Sequence, residues 1–251
     1  MKFIEKVKTT TFCLTKSSRI REKTNLHPLS KLTAILIFSR TAFQEAKRKA
    51  IVRNEHQNHA LQNLLLEKTI NIAKSSGLPF YLIDESQQSG KDFGTRFNNA
   101  YSKIFSFGYD NVIAIGSDCP DLTSVDIRNA AHHIAVPHQE LVIGPDLKGG
   151  VYLLALAKSF FQKTDFNDIS WNSKTLRDSI LSYTSGGAKL LATKSDINDS
   201  ADFARLVKRS VFLRAIWRLI LSFLNRPKRL AFFLSDFVNH TSTLRGPPVL
   251  I

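Results

Sequence analysis

The stretch NVIAIGSDCPDL, residues 111–122, decides the fold. Its first five residues are mostly apolar, which predicts a short buried strand over residues 111–115. The strand leads directly into a loop that carries Asp118 and Pro120. In open α/β sheets, ligands gather beyond the carboxyl ends of the strands, so this loop is the first candidate for a binding site.

On both sides of this stretch, apolar runs of strand length alternate with segments of helical periodicity. The predicted strands cover residues 32–39, 80–83, 111–115, 140–143, 151–156 and 189–192. The predicted helices cover residues 55–75, 93–107, 124–135, 174–184 and 200–209. Strands separated by helices predict an α/β sandwich with a mainly parallel sheet.

Asp118 is the natural metal ligand of the central loop. A hard cation such as Mg²⁺ prefers oxygen ligands and is often shared with the phosphates of a substrate. Asp121 could join that metal shell or cap the following helix, for which Thr123 or Ser124 is the alternative cap. Both aspartates could equally serve only to cap and solubilise the loop.

The loop after the first strand, SRTAFQEAKRK at residues 39–49, is rich in cations. We expect Arg40, Lys47 and Lys49 to lie where a nucleotide phosphate would approach, because clustered cations neutralise phosphate. The alternative for these residues is a solvated helix face, which the sequence favours as strongly.

Two later segments carry further candidates. Gly149 and Gly150, in VIGPDLKGGVYLLAL at residues 142–156, permit a close backbone approach to a sugar or nucleotide, or an ordinary hairpin. Asp196, in SDINDSADFARL at residues 195–206, is a candidate second metal ligand. The polar residues that follow Asp196 would cap the next helix, and a purely structural role is its alternative.

The net charge of +14 lies in the two ends of the chain. Residues 1–31 carry a net charge of +6, residues 208–251 carry +7, and residues 32–207 carry only +1. A protein that binds nucleic acid through its globular body concentrates basic residues there, so specific nucleic-acid binding is disfavoured. Basic ends can still contact anionic lipid without sequence specificity.

The composition is that of a globular protein. The chain has 251 residues, of which 43% are hydrophobic and 22% charged, and two cysteines, which suits a reducing cytoplasm. We recognise no secretory signal and no uncharged apolar run of spanning length. The expected organisation is a poorly ordered basic leader at 1–31, a nucleotide-binding catalytic domain at 32–207 and a basic, apolar helical extension at 208–251.

The extension begins with KRSVFLRAIWRLILSFL, residues 208–224, in which Arg214 and Arg218 are one helical turn apart. One interpretation is a helix that packs on the body of the protein. Another is an amphipathic helix that lies in the membrane interface with its arginines at the headgroups, which would place the protein at the inner face of the membrane. A helix that binds a partner protein is a third.

The order of motifs resembles one bacterial family. These motifs are QQSGKDFGTRFNNAY, VIAIGSDCPDLT, VIGPDLKGGVYLLAL, ISWNSKTL and SDINDSADF, together with the basic first loop. The family is an uncharacterised, glycosyltransferase-like group within the GT-A nucleotide-diphospho-sugar transferase superfamily. The resemblance covers residues 32–207 and implies a Rossmann-like GT-A sheet in a three-layer α/β/α sandwich. It also implies a nucleotide-sugar or nucleoside triphosphate ligand and a divalent metal, Mg²⁺ or Mn²⁺.

The resemblance also implies roles for individual residues. Asp118 matches the metal-binding aspartate of the family, and Asp196 matches the first aspartate of its terminal acidic motif. The other matches are the basic pair Lys47 and Lys49, the turn residues Gly94 and Arg96, the double glycine Gly149 and Gly150, and Trp171.

The chain departs from the family pattern in places that concern the metal. The first loop lacks the proline and glycine of the family, Lys148 replaces an aspartate, and Asn198 replaces the second terminal acidic residue. Replacing a carboxylate by an ammonium group changes the local charge by about two units. The metal shell could be built differently, perhaps with Asp146, or the site could work without a metal while Lys148 contacts the diphosphate.

Three functions remain open from the sequence. The first is transfer of a sugar from a nucleotide-diphospho-sugar to an acceptor, with Asp118 and Asp196 as catalytic and metal-binding residues. Arg40, Lys47, Lys49, Arg96 and the two glycines would then bind the nucleotide. The alternatives are a nucleotidyltransferase of the guanylyltransferase type and a non-catalytic relative that binds a nucleotide or a partner.

Overall fold

The computed structural model describes residues 32–164, 169, 171, 173, 175–184 and 188–223. The predicted leader at 1–31 and the end of the predicted extension, 224–251, lie outside the described residues. The strands are β1 Thr33–Phe38, β2 Phe80–Ile83, β3 Asn111–Ile115, β4 Leu141–Pro145, β5 Val151–Ala157 and β6 Lys189–Leu190. The helices are α1 Ala42–Arg48, α2 Glu55–Ser75, α3 Phe93–Phe105, α4 Ser124–Ala135, α5 Lys158–Lys163, α6 Leu176–Leu181, α7 Ser200–Arg209 and α8 Val211–Phe223.

The strands form one six-stranded sheet in the order β2-β1-β3-β5-β4-β6. β1 is parallel to β2 and β3, and β4 is parallel to β6. β5 is antiparallel to both of its neighbours, β3 and β4. The predicted α/β class with a mainly parallel sheet is confirmed, and the antiparallel β5 confirms the hairpin alternative for the segment around the double glycine.

This topology brings the sequence motifs to one edge of the sheet. Because β5 reverses direction, its beginning lies beside the carboxyl ends of β3 and β4. The loops that follow β1, β3, β4 and β6 therefore meet at the same edge. These loops carry Arg40, Asp118, Asp146 and Asp196.

Helices cover both faces of the sheet. Alternate residues of β1 point to opposite faces, as the period of two along a strand requires. Ala34 and Leu36 pack in a cluster with α3 and α6, whereas Ile35 and Ile37 pack in a cluster with α4. All four side chains are fully buried, so the apolar run of β1 reflects burial on two sides. The three-layer α/β/α sandwich implied by the resemblance is thus observed.

The described part of the C-terminal extension packs on the body of the protein. Leu213 and Ile216 of α8 are buried in a third cluster, together with residues of α2 and α7. The rings of Phe203 and Trp217 meet edge to face at a centroid distance of 5.4 Å. This packing matches the first interpretation of the segment, because these apolar side chains are already covered by protein. The boundary expected at 207/208 falls inside α7, and the division into domains stays a prediction.

Replacing Leu213 by Ala should lower the free energy of unfolding by about 2–4 kcal/mol, since a fully buried leucine would leave a cavity. Val211 begins the same helix and is 73% exposed, so Val211→Ala is the matched control and should leave stability nearly unchanged. Chemical denaturation monitored by circular dichroism measures both variants. Equal stability of the two would mean that α8 is not packed on the body in solution.

Candidate functional site

A cavity of about 490 Å³ opens at the edge of the sheet where the loops converge. Its walls combine a charged side, built from the loops after β1, β3, β4 and β6, with an aromatic side near α3. The residues expected from the sequence that line it are Arg40, Arg96, Asp118, Asp146, Gly150, Trp171, Asp196 and Asn198. The structure therefore brings most of the sequence candidates together in one concave site, which is where a ligand is expected in this class of fold.

Asp118 lies at the centre of the charged side, directly after β3. Its Oδ2 atom accepts a hydrogen bond of 2.8 Å from the ammonium group of Lys49. The other oxygen, Oδ1, lies against Gly116, where an added Cβ would come within 2.8 Å of it. Burial opposes ionisation of the Asp118 carboxyl, but the Lys49 ammonium outweighs burial and holds its pKa below the ordinary value. Asp118 is therefore an ion-paired carboxylate.

Lys49 does not lie at the position expected from the sequence. Its side chain is only 6% exposed, and it pairs with Glu45 as well as with Asp118. Burial works against its charge, but these two carboxylates raise the pKa of Lys49 above the ordinary value. Lys49 is thus a buried cation at the wall of the site, whereas the prediction placed it against a phosphate.

Asp196 lies near Asp118 and differs from it in having no cation beside it. Its Oδ1 atom is buried and has no hydrogen-bond partner. Burial, together with the negative charges of Asp118 and Asp146, raises the pKa of Asp196 to about 8. A buried polar atom without a partner is costly, and in native structures it often marks a place where a ligand or ion binds. Asp196 is thus a second carboxylate available to a bound cation.

Asp146 organises the loop that contains the double glycine. Its Oδ1 atom accepts hydrogen bonds from the backbone N–H groups of Lys148 and Gly150, at 2.5 and 2.8 Å. Gly149 has a φ of 90°, in the left-handed region that glycine tolerates best. Gly150 lies so close to Asp146 that a Cβ there would approach its Oδ2 to 2.9 Å. Both glycines are explained by this turn, and Gly150 also lines the cavity.

Lys148 is directed away from the cavity. Its ammonium donates to Asp202 at 2.7 Å and lies 3.7 Å from Asp199. Asp202 is almost fully buried in α7 and also accepts from the backbone N–H of Asn198 and from Arg205. Lys148 therefore ties the glycine loop to α7. The expectation that it would contact a diphosphate or repel a metal does not match this geometry.

Three arginines line the cavity. They are Arg40, Arg48 and Arg96. Arg48 donates to Glu45 at 3.0 Å, and Arg40 lies 3.9 Å from the same carboxylate. Arg96 donates to the backbone carbonyl of Lys91 at 3.4 Å. These guanidinium groups are the cations that a phosphate entering the cavity would meet.

Lys47 is not among the residues that line the cavity. It is exposed on α1, and its ammonium lies 4.3 Å from the centre of the Phe43 ring. Residues 42–48 form a helix capped by Thr41, which is the alternative that the sequence left open for this loop. The role predicted for Lys47 in nucleotide binding has no support from its position.

Most of the aromatic side of the cavity was not predicted from the sequence, which pointed only to Trp171, through the family resemblance. Phe38, Phe93, Phe97 and Trp171 line it, and their rings pack at centroid distances of 5.0 to 5.8 Å. Gly94 allows this packing, because a Cβ there would come within 2.7 Å of the Trp171 ring. The sequence feature that could have indicated this wall is the FGTRF segment at residues 93–97. Its two phenylalanines have helical spacing, which is also typical of ordinary core positions.

Glu45, Gln88 and Ser117 were also missed. Glu45 is buried and lies within 4 Å of three cations, Arg40, Arg48 and Lys49. Ser117 shares a hydrogen bond with Ser39, and this bond joins the loops after β3 and β1. The contact between Ser39 and Ser117 cannot be recognised from spacing alone, because the two serines come from different loops, whereas the partners of Glu45 lie in its own segment of the chain.

The residues present fit a divalent cation. Among the described residues, no three His, Cys, Asp or Glu side chains stand together as a complete metal cage. Mg²⁺, however, is usually held by one or two carboxylates, and waters and substrate phosphates supply its remaining ligands. Asp118 and Asp196 provide two such carboxylates, and the unpartnered oxygen of Asp196 is the donor that the protein leaves unused.

The raised pKa of Asp196 predicts how stability depends on pH. Because its folded pKa of about 8 exceeds the ordinary value of 3.8, the folded state retains a proton that the unfolded state loses. The resulting stabilisation is complete below pH 4 and is lost as the pH rises through 8. In metal-free buffer, Asp196→Asn should therefore be more stable than the wild type at pH 8, by on the order of 2 kcal/mol, and not at pH 4.

Urea denaturation at both pH values measures this difference. Asp121→Asn is the matched control, since Asp121 is an exposed carboxylate of the same edge of the sheet. A stability difference between Asp196→Asn and the wild type that does not change with pH would contradict the prediction.

Comparison with solved structures finds proteins that share the fold of this chain. A protein from Desulfovibrio desulfuricans G20, provisionally described as a nucleotide-diphospho-sugar transferase, aligns with a TM-score of 0.59 at 20% identity. The alignment covers 77% of this chain and 97% of that one. At this level of identity the likeness establishes the fold alone.

The family model described as "Uncharacterized protein conserved in bacteria (DUF2064)" matches residues 80–173. The matched segment runs from β2 through the central aspartate loop and the double glycine, so the resemblance stated above is confirmed there. No protein in the curated comparison matches the chain.

A more distant structure is that of Rv0371c from Mycobacterium tuberculosis H37Rv. It is 11% identical with a TM-score of 0.47, and the alignment covers 71% of this chain and 97% of that one. Rv0371c has also been solved as a complex with manganese, and that structure aligns at a TM-score of 0.42. These scores are too low to support any statement about the site of this chain.

Proposed function

We propose that the protein transfers a sugar from a nucleotide-diphospho-sugar to an acceptor hydroxyl. The observation that supports this most is the cavity at the carboxyl edge of the sheet, which Asp118, Asp196 and three arginines line together. Carboxylates and guanidinium groups in one cavity suit a ligand that brings both phosphates and a cation. A nucleotide-diphospho-sugar with a divalent metal is such a ligand.

In the proposed complex, Arg40, Arg48 and Arg96 bind phosphate oxygens of the donor. Asp118 and Asp196 would hold Mg²⁺ or Mn²⁺. A divalent cation at this position stabilises the negative charge that develops on the leaving diphosphate. The acceptor oxygen bonds to the anomeric carbon of the sugar as the bond from that carbon to the diphosphate breaks, the nucleoside diphosphate leaves, and the proton of the acceptor hydroxyl passes to water. The aromatic wall with Trp171 excludes water from the side of the cavity opposite the charges.

The position of Lys148 weakens the case for a non-catalytic relative. The sequence suggested that Lys148 would replace a ligand in the metal shell. In the fold, its ammonium is held by Asp202 and Asp199 and does not line the cavity. The substitution therefore leaves both proposed metal carboxylates in place.

Calorimetry with UDP-, GDP- and CDP-sugars in the presence of Mg²⁺ or Mn²⁺ tests the proposal. We expect one donor to bind in the presence of metal, and Asp118→Asn to weaken that binding by about tenfold or more, because it removes a carboxylate that would hold the metal against the diphosphate. Asp121→Asn, in the same loop but exposed, is the control and should bind like the wild type. Absence of binding across the whole panel by folded protein would refute the proposal.

A second assay separates sugar transfer from nucleotidyl transfer. Incubation with a nucleoside triphosphate and a sugar phosphate releases pyrophosphate only if the α-phosphate is attacked. Pyrophosphate release without turnover of any nucleotide-sugar would assign the chain to the nucleotidyltransferases.

We also propose a peripheral contact between the C-terminal extension and anionic lipid, in a protein that remains in the cytoplasm. Along α8, the outward positions are Val211, Arg214, Arg218 and Leu221, which are all exposed. The positive charges of Arg214 and Arg218 complement an anionic surface, whereas the buried side of the helix packs against the protein core. Within the described residues, no helix is both long and apolar enough to cross a membrane.

Co-sedimentation of the full chain with vesicles tests this contact. The protein should pellet with phosphatidylglycerol-containing vesicles and not with pure phosphatidylcholine. Roughly 0.5 M salt should release it, because salt screens the attraction between surface charges. Arg214→Glu with Arg218→Glu should reduce pelleting several-fold. The control pair Lys74→Glu with Lys103→Glu changes the net charge equally at exposed sites on other helices. If both pairs reduce pelleting equally, the contact is not made through α8.

A further inference from the structure

The ammonium group of Lys49 is held by three oxygen atoms of the protein. It donates hydrogen bonds to Asp118 Oδ2 at 2.8 Å and to the carbonyl oxygen of Ile197 at 3.2 Å. It also forms an ion pair with Glu45, whose Oε1 atom lies 3.2 Å away. With its side chain only 6% exposed, this lysine belongs to the wall of the site.

The backbone of Lys49 is held as firmly as its side chain. Its N–H donates to the carbonyl of Glu45 at the end of α1, and its own carbonyl accepts from Asn58 Nδ2 at 2.8 Å. Asn58 is itself buried and accepts from the N–H groups of Ile51 and Val52. The loop therefore presents Lys49 to Asp118 from a rigid base, and the ion pair is not a chance contact between flexible side chains.

This ion pair changes what Asp118 offers to a metal. One of its two oxygens is engaged, and its charge is neutralised by a cation 2.8 Å away. A divalent cation that binds the remaining oxygen also meets the repulsion of the ammonium group, which falls off slowly in a partly buried site. Glu45 cannot compensate, because three cations already share it. A free divalent cation thus finds little net negative charge beside Asp118.

We infer that Lys49 is a positioning residue that prevents Asp118 from binding a free divalent cation, so that the cation enters the site only together with the diphosphate of the donor. The inference rests on the proposed function for the identity of that donor. The diphosphate supplies the negative charge that Lys49 cancels in the empty site. Lys49 at the same time directs the second oxygen of Asp118 toward the cavity. In this account Lys49 acts through Asp118 and makes no contact with the substrate.

Titration with Mn²⁺ alone, followed by electron paramagnetic resonance of the free ion, tests the inference without any turnover. The wild type should bind Mn²⁺ weakly, and Lys49→Met should bind it at least tenfold more tightly, since the variant exposes an unpaired Asp118 carboxylate. Lys49→Arg keeps the charge and should remain weak. Lys47→Met is the matched control, because it removes the same charge from an exposed position two residues away.

The double variant Lys49→Met, Asp118→Asn should lose the gained Mn²⁺ affinity, which locates the new binding at Asp118. Equal and weak binding by wild type and folded Lys49→Met would overturn the inference. If Lys49→Met fails to fold, the wild type alone decides the question. After correction for the Mn²⁺ that the nucleotide binds in protein-free solution, it should bind Mn²⁺ at least tenfold more tightly with saturating UDP, GDP or CDP than without nucleotide, and tight binding of Mn²⁺ alone would overturn the inference.

The two proposals fail in different ways. If no nucleotide binds in the calorimetric panel, the proposed function is refuted, while the comparison of Mn²⁺ binding by wild type and Lys49→Met still reports on Lys49. If a nucleotide binds but Lys49→Met shows no gain, only the role of Lys49 is refuted.

Discussion

The contact between Lys49 and Asp118 is the interaction on which the charged side of the cavity depends. It joins the end of the first loop to the loop after the central strand, and the same ammonium reaches the backbone of Ile197 before α7. Three segments that are distant in the chain are thereby fixed around one cation. Without that cation, the Asp118 carboxylate would have no ion-pair partner in a partly buried space, which is unfavourable unless a ligand neutralises it.

The fold was largely predictable from the sequence, because the patterns that indicate each strand and helix lie within that element. The apolar run of β1 and the periodicity of α2 depend on burial that repeats along each element, and the strand bounds of β2 and β3 agree with the prediction. The helix caps were predicted to within a few residues, since a cap acts within one turn: Thr123 was one of the alternatives for α4, and Asp199 is one of the polar residues after Asp196 that were expected to cap α7. The antiparallel direction of β5 was left open, because an apolar strand has the same pattern in either direction.

The site was predictable only in part. Asp118, Asp146 and Asp196 could be placed together because each follows a strand whose carboxyl end lies at one edge of the sheet. The choice of ion-pair partners could not be predicted, since it depends on contacts between residues far apart in sequence. Lys49 meets a carboxylate 69 positions away, and Lys148 meets one 54 positions away. The positions of these lysines in the sequence indicate that they lie near the site, but they do not show which carboxylate each lysine will pair with.

The two tryptophans of the chain occupy two different environments. Trp171 stands in the wall of the cavity against Gly94, and Trp217 of α8 packs on Phe203 of α7. Indole emission responds to changes in polarity around the ring, so the protein contains two natural optical probes. In a Trp217→Phe background the remaining fluorescence would follow occupancy of the cavity, and in a Trp171→Phe background it would follow detachment of the last described helix.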